Sequence, residues 1–79
     1  TGSIWFTLAR EARVVAEIYD ESGRRVRTLS DAVAAAGPHE ATWSGVDDAG
    51  RPVAGGVYFC RLQAGGEEFA RRLVVVRGR

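Results

Sequence analysis

Apolar and polar residues alternate with a period of two from the start of the chain. Ile4, Phe6 and Leu8 alternate with Trp5 and Thr7. Successive side chains of a β-strand point to opposite faces, so this period is typical of a strand with one buried face. The pattern therefore predicts a first strand over residues 4–8, with Trp5 on its outward face.

The next two segments predict a hairpin. Val14, Ala16 and Ile18 alternate with polar residues in a second strand, which places Tyr19 outward. The stretch Asp-Glu-Ser-Gly at residues 20–23 predicts a turn, because its Gly can take positive φ. In the third strand, residues 24–30, Val26 and Leu29 are out of phase by one residue. This indicates a β-bulge or a strand end near Thr28.

The middle of the chain predicts shorter elements. Residues 32–36 precede Gly37-Pro38 and are too few to hold a helix, so we expect a loop there. Residues 39–44 predict a short strand with Ala41 and Trp43 on one face. A tight acidic loop over residues 45–51 follows, and residues 53–56 lead into the next strand.

The last third of the chain predicts a second hairpin. Residues 57–63 are apolar on both faces, as in a central strand, and residues 68–76 pair with them across two adjacent glycines. Cys60 is in phase with Tyr58 and Leu62. Its burial as a small hydrophobe is favoured over a reactive thiol, and an intermolecular disulfide stays open as an alternative.

These elements predict an all-β fold. Six to seven short strands, with turns at intervals of about eight to twelve residues, are typical of an antiparallel β-sandwich of the immunoglobulin-like, fibronectin III-like kind. Trp43 is expected to fill the space between its two sheets. We assign residues 4–77 to one domain, residues 1–3 to a linker or an excision remnant, and residues 78–79 to a tail.

The composition of the chain excludes several classes of partner and of chemistry. Eleven basic residues nearly balance ten acidic ones, so we expect neither nucleic acid nor an anionic membrane as a partner. One Cys and one His supply no zinc site of the multi-cysteine kind and no nucleophile with its base. No apolar run is long enough for a membrane span. We therefore expect no catalytic residues, no cofactor and no metal.

Three polar residues remain as candidates for a binding site. His39 follows Gly37-Pro38 at a predicted strand start, where its ring can satisfy a backbone group. Asp47 and Asp48 have the oxygen ligands that Ca²⁺ prefers, but a turn in which they accept backbone N–H bonds is favoured. A weak cation site at this loop is left open.

The outward residues form the candidate contact site. Trp5 and Tyr19 are the aromatic candidates, and exposed aromatic rings can stack on sugars. Burial of these two rings against a neighbouring domain or a sheet rim is favoured over such stacking. The basic candidates form a possible stripe: Arg24, Arg25, Arg27, Arg71 and Arg72, together with Arg77 and Arg79. A solvated sheet face is the favoured interpretation of the stripe. The alternative is docking on an acidic partner or on a polysaccharide.

The order of short motifs resembles a known family. These motifs are Ile18-Tyr19-Asp20, Gly23 to Leu29, Ala36 to His39, Trp43-Ser44-Gly45, residues 47–50, and Gly55 to Phe59, followed by an Arg-rich last strand. Together they resemble the FlgD immunoglobulin-like domain family and its relatives, the carboxy-terminal sorting domains of the bacterial type IX secretion system. The resemblance extends over residues 4–76. Ser44 stands where family members commonly have Asp.

The resemblance implies a non-enzymatic module at the carboxy-terminal end of a larger bacterial protein that is secreted or held at the cell surface. Its role would be sorting, anchoring or assembly through contacts with a secretion or surface-assembly component, or with the preceding domain. We expect the edges of the first and last strands to make these contacts. Two alternatives are a carbohydrate-binding accessory module, using Trp5, Tyr19 and the arginines, and a filament subunit assembled by strand exchange.

Overall fold

A computed structural model describes residues 2–77, which form six β-strands and two antiparallel sheets. The strands are β1 (Gly2–Leu8), β2 (Ala12–Asp20), β3 (Arg25–Ala34), β4 (Gly37–Trp43), β5 (Gly56–Ala64) and β6 (Glu67–Val75). Strands β1 and β4 form a two-stranded sheet. The other four form a second sheet in the order β3-β2-β5-β6. The prediction of an all-β, immunoglobulin-like sandwich is confirmed, with six strands in this part of the chain.

The core lies between the two sheets and is made by the inward residues of the alternating pattern. Trp43 is 1% exposed and is the largest of the fully buried side chains, which confirms its predicted place. The inward phases predicted for the first and second strands are confirmed as well, and β5 is central, between β2 and β6, as predicted. The expectation that this strand is apolar on both faces is wrong, because Phe59, Arg61 and Gln63 lie exposed on its outer face. The buried apolar residues are Leu8, Val14, Ala16, Ile18, Trp43, Tyr58, Cys60, Leu62, Ala64 and Val75.

Strand β3 contains two irregularities at the residues whose phase was anomalous in the sequence. The β2–β3 pairing skips Leu29 and again skips Val26, and both side chains pack against the core. Each bulge adds one residue to the strand, which corrects the inward phase. The predicted bulge is therefore confirmed. The alternative, a strand end near Thr28, is wrong.

The predicted loop over residues 32–36 is also wrong in its first half. Ala32, Val33 and Ala34 continue β3 and pair with Val14, Arg13 and Ala12 of β2. Alanine has a weak strand propensity, and pairing to a long neighbouring strand overrides it here. The chain leaves the sheet only at residues 35–36.

Strand β1 begins two residues earlier than the sequence predicts. Gly2 and Ser3 pair with Trp43 and Thr42 of β4, so these two predicted linker residues lie within a strand. The strand predicted over residues 39–44 likewise begins earlier, at Gly37. The tail at residues 78–79 lies outside the described residues, and the domain boundaries stay a prediction.

The two-stranded sheet covers only part of the four-stranded sheet. Phe69 and Arg71 of β6 are the register partners of the buried residues Leu62 and Cys60, so they lie on the face that is turned toward the core. Phe69 is nevertheless 43% exposed. Strand β6 therefore has an inward face without a full covering layer. Within residues 2–77, no helix has the length and apolar character required to cross a membrane.

Candidate protein-contact site

A groove runs between β1 and β6, along the side where the smaller sheet ends. Its volume is about 240 Å³. Residues 4–8 of β1 form one wall, Leu62 and Ala64 of β5 form the floor, and Glu67, Phe69 and Arg71 of β6 form the other wall. The groove is mostly apolar, with an acidic and a basic residue on the β6 side. We call this feature the β1–β6 groove.

The β1 wall of the groove is a free sheet edge. Strand β1 belongs to a sheet of two strands, and β4 pairs with one of its edges. Among residues 2–77 no strand pairs with its other edge. Backbone N–H and C=O groups along such an edge can pair with a strand from another chain. Both strands predicted as contact edges, the first and the last, are edge strands in the structure.

The two candidate aromatic residues lie on different sheets. Trp5 is 69% exposed and stands at the rim of the β1–β6 groove. Tyr19 lies on the outer face of the four-stranded sheet, and its hydroxyl donates a hydrogen bond to Glu17 Oε1 at 2.9 Å. The structure therefore does not bring Trp5 and Tyr19 together on one surface.

Tyr19 instead belongs to a row of four side chains across the outer face. Arg25 on β3 pairs with Tyr19 on β2, Tyr19 pairs with Phe59 on β5, and Phe59 pairs with Arg72 on β6. Phe59 is 38% exposed. We call this set the outer-face row. Phe59 was not among the candidate residues predicted from the sequence. Its position between Tyr58 and Cys60, both of which are buried, was a signal for an outward aromatic ring.

The other candidate arginines do not continue this row. Arg24 lies 3.5 Å from Asp20 in an exposed ion pair, and Arg27 donates a hydrogen bond to the backbone carbonyl of Asp47 at 2.7 Å. Arg71 lies on the opposite face of β6 from Arg72. Since β3 and β6 are opposite edges of the same sheet, the basic candidates among residues 2–77 do not form a single stripe.

Arg77, another member of the predicted stripe, holds the end of the chain against a loop. Its guanidinium donates hydrogen bonds to the carbonyl of Val53 at 2.9 Å and to that of Gly45 at 2.7 Å. Arg79 lies outside the described residues. Whether any of these arginines contacts a partner stays a prediction.

Asp20 organises the first turn. Its Oδ1 accepts hydrogen bonds from the Ser22 hydroxyl at 2.6 Å, the Ser22 N–H at 2.9 Å and the Arg24 N–H at 3.0 Å. The Ser22 side-chain bond and then the Arg24 backbone bond hold the pKa of this carboxyl below its usual value. The carboxylate is thus a structural element of the β2–β3 turn.

Asp47 plays the same part in the loop after β4. Its Oδ1 accepts the N–H groups of Arg51 at 2.9 Å and Ala49 at 3.0 Å, and the Arg51 bond is the main cause of its lowered pKa. Gly50 has the positive φ, 83°, that this turn requires. Asp48 accepts the N–H of Thr28 on β3 at 2.9 Å. The interpretation of both aspartates as acceptors of backbone N–H bonds is confirmed.

Cys60 and His39 occupy separate places in the fold. Cys60 is buried in the cluster around Trp43, and burial raises the pKa of its thiol. His39 stacks on Phe6 with ring centroids 5.5 Å apart, and its Nε2 lies 2.7 Å from the carbonyl oxygen of Ala35. The predicted structural role of each residue is confirmed. Among residues 2–77, no three His, Cys, Asp or Glu residues converge as a metal site would require.

A comparison with protein-family models places this fold in a known group. The model described as the FlgD Ig-like domain matches residues 1–68, which include β1 to β5 and the first two residues of β6. No curated protein and no solved structure matched the chain. The family match covers far more than half of the sequence and agrees with the motifs and the sandwich fold. This chain belongs to the FlgD Ig-like domain family.

Proposed function

We propose that this chain is a non-catalytic protein-contact module of a larger bacterial protein, and that its contacts serve sorting, anchoring or assembly outside the cytoplasm. Membership of the FlgD Ig-like domain family supports a structural, protein-binding role. The observation that carries the proposal is the β1–β6 groove, where a free strand edge borders an apolar floor.

Such an edge favours a protein over a small molecule as the partner. The backbone groups of a strand edge lie in a row and bind best to another strand, which matches them along its length. Small-molecule sites of about 300 to 1,000 Å³ usually enclose most of their ligand. The β1–β6 groove is smaller, at about 240 Å³, and lies open along the side of the sandwich.

The sorting role is supported by the resemblance to carboxy-terminal sorting domains. The last strand departs from that pattern, since sorting domains usually end in a strand with Lys and here Arg71 and Arg72 occupy the basic positions, beyond the end of the family match at residue 68. In this proposal the protein reaches the cell surface or the medium through a secretion or surface-assembly component. That component, or the domain before this one, is the partner.

Site-specific photocrosslinking in the source bacterium tests the contact. A photoreactive residue replaces Thr7 at the groove, and the matched control replaces Ala49, an exposed turn residue remote from the groove. We expect position 7 to yield a discrete protein adduct that position 49 does not yield. Equal or absent adducts at both positions in the folded protein would remove the contact role.

A second experiment, protease accessibility on intact cells, tests the sorting role. Protease added to intact cells should degrade the parent protein when residues 1–79 are present, since the proposal places it at the surface. A parent protein that is equally accessible without residues 1–79 would remove the sorting role and leave anchoring or assembly.

The outer-face row supports carbohydrate binding as a second candidate function. Tyr19 and Phe59 lie side by side on an open face with Arg25 and Arg72 at either end. Aromatic rings can stack on sugar rings, and the arginines can bind acidic groups of a polysaccharide. Affinity electrophoresis in gels containing polysaccharides should retard the chain and lose the effect in Phe59→Ala. Unchanged mobility over a broad panel would remove this candidate.

A further inference from the structure

We propose that the β1–β6 groove binds an extended segment of a partner protein, which adds to the free edge of β1 as an antiparallel third strand. This inference rests on the proposed function and specifies its site. The segment would lie above β6 and cover Phe69, which the two-stranded sheet leaves exposed. The geometry of the two walls also fixes the charge pattern of the segment.

The two walls run in opposite directions along the groove. The start of β1 lies beside the end of β6, because a Cβ atom on Gly2 would stand only 3.2 Å from Leu73 Cδ2. The end of β1 lies beside the start of β6, since Leu8 and Glu67 line the same depression. Arg71 is therefore near the start of β1, and Glu67 is near its end.

The inward residues of β6 place an apolar side chain between two opposite charges. Glu67, Phe69 and Arg71 share one face of the strand, with Glu67 and Arg71 about 13 Å apart along it. None of the ion pairs among residues 2–77 includes Glu67 or Arg71. Their charges are thus available to a side chain that enters the groove.

An antiparallel strand beside β1 begins at the Glu67 end and finishes at the Arg71 end. Alternate residues of this strand face the groove, because side chains of a strand have a period of two. Charge complementarity then calls for a basic residue first, an apolar residue two positions later opposite Phe69, and an acidic residue after two more. The partner segment is therefore an extended peptide of the pattern basic-x-apolar-x-acidic.

A synthetic heptapeptide with this pattern tests the inference. The capped peptide Thr-Lys-Thr-Ile-Thr-Asp-Thr is titrated into the chain, and amide chemical shifts are followed by NMR. We expect the shifts to concentrate in β1 and β6 and Trp5 fluorescence to change, since Trp5 stands at the rim. The peptide Thr-Asp-Thr-Ile-Thr-Lys-Thr, with its charges exchanged, should bind about two- to fivefold more weakly.

A charge reversal at Arg71, combined with a charge reversal in the peptide, tests whether the β6 wall of the groove contacts the peptide. Arg71→Glu should weaken the first peptide about two- to fivefold and recover binding to Thr-Lys-Thr-Ile-Thr-Lys-Thr. The matched control is Arg72→Glu, since Arg72 is the next residue on the opposite face of β6. The Arg72→Glu variant should bind each peptide with the affinity of the unsubstituted chain. Thermal unfolding of both variants checks that the sheet is intact.

Three outcomes would overturn the inference: no binding, equal effects of the Arg71 and Arg72 substitutions, or shifts outside β1 and β6. A fourth contradicting outcome would come from light scattering. If the chain forms dimers, and dimerisation shifts the same β1 and β6 amide signals, the groove binds a second copy of the chain. A photocrosslinked partner at position 7 together with any of these results leaves the proposed function standing. Peptide binding at β1 and β6 without an adduct in cells would instead support the strand addition and remove the proposed function.

Discussion

The rings of Trp43 and Tyr58 meet edge to face, with centroids 5.1 Å apart and an interplanar angle of 64°. Trp43 belongs to the two-stranded sheet and Tyr58 to the four-stranded sheet, so this contact joins the two layers. The indole N–H donates to the carbonyl of Val46 at 2.8 Å, and the Tyr58 hydroxyl donates to that of Ala54 at 2.7 Å. Each ring therefore also fixes one end of the segment between β4 and β5.

Loss of the Trp43 ring should be the most damaging aromatic substitution. Trp43→Ala should lower the free energy of unfolding by about 3 to 5 kcal/mol, through lost burial and the cavity that remains. A chain of this size has a total of only about 4 to 12 kcal/mol. Urea denaturation measures the change. The control, Trp5→Ala, removes an exposed ring and should cost no more than about 0.5 kcal/mol. Equal losses would contradict the assignment of Trp43 to the core.

Stability should fall in acid because of the two turn carboxylates. Hydrogen bonds lower the pKa of Asp20 and of Asp47 in the folded chain. A carboxyl group with a lowered folded pKa stabilises the fold above its unfolded value of about 3.9, and this contribution is lost as the pH falls through the folded value. Urea titrations from neutral pH down to about pH 2 measure the decline.

The double variant Asp20→Asn, Asp47→Asn should be less stable at neutral pH and should show a shallower decline in acid. The control Glu21→Gln removes a charge from an exposed position in the first turn. It should keep the acid dependence of the unsubstituted chain. A double variant with an unchanged decline would show that other groups cause it.

The thiol of Cys60 should be protected in the folded chain. Its side chain is 1% exposed, and burial raises its pKa, so both access and the thiolate population are reduced. Its reaction with an aromatic disulfide reagent at pH 8 should be at least about 100-fold slower than in urea-unfolded chain, because it requires opening of the core. A fast reaction in the folded state would instead mark Cys60 as an accessible thiol, open to an intermolecular disulfide.

The hydrogen bond between the Asp48 carboxylate and the Thr28 N–H should stabilise the contact between the loop after β4 and strand β3. Asp48→Ala removes the acceptor for the Thr28 N–H and should cost about 0.5 to 1.5 kcal/mol in the free energy of unfolding. Asp48→Asn keeps a side-chain oxygen and should retain most of the stability. Thermal unfolding of the three proteins compares them. Identical stabilities would show that water replaces the bond without cost.

The sequence was sufficient to predict the layers of the fold but not the length of β3. Period-two alternation identified inward residues such as Leu8 and Ile18, because burial of one sheet face imposes that period. Ala32 and Ala34 carry little strand propensity, and the strand at these residues depends on pairing with β2, which no local pattern encodes. The bulges were visible as a phase error at Val26 and Leu29 because a bulge shifts the pattern itself.

The contact surfaces were less predictable for a related reason. Alternation assigns each residue to a face of its own strand, but not to a neighbour on another strand. The row of Tyr19 and Phe59 depends on the β2–β5 register, and the groove beside Phe69 depends on how far the smaller sheet extends. Both are properties of strand order. Of the properties of the contact surfaces, the sequence predicted only that the first and last strands lie at sheet edges.

Residue-resolved hydrogen exchange, with and without the heptapeptide Thr-Lys-Thr-Ile-Thr-Asp-Thr, is the direct test of whether the second edge of β1 is free. We expect slow exchange throughout β2 and β5 in both states, because both are central strands. Some β1 amides should exchange fast in the chain alone and slow down when the peptide occupies the free edge. Protection of every β1 amide in the monomeric chain alone, or β1 exchange that the bound peptide leaves unchanged, would show that the edge of β1 does not accept a further strand.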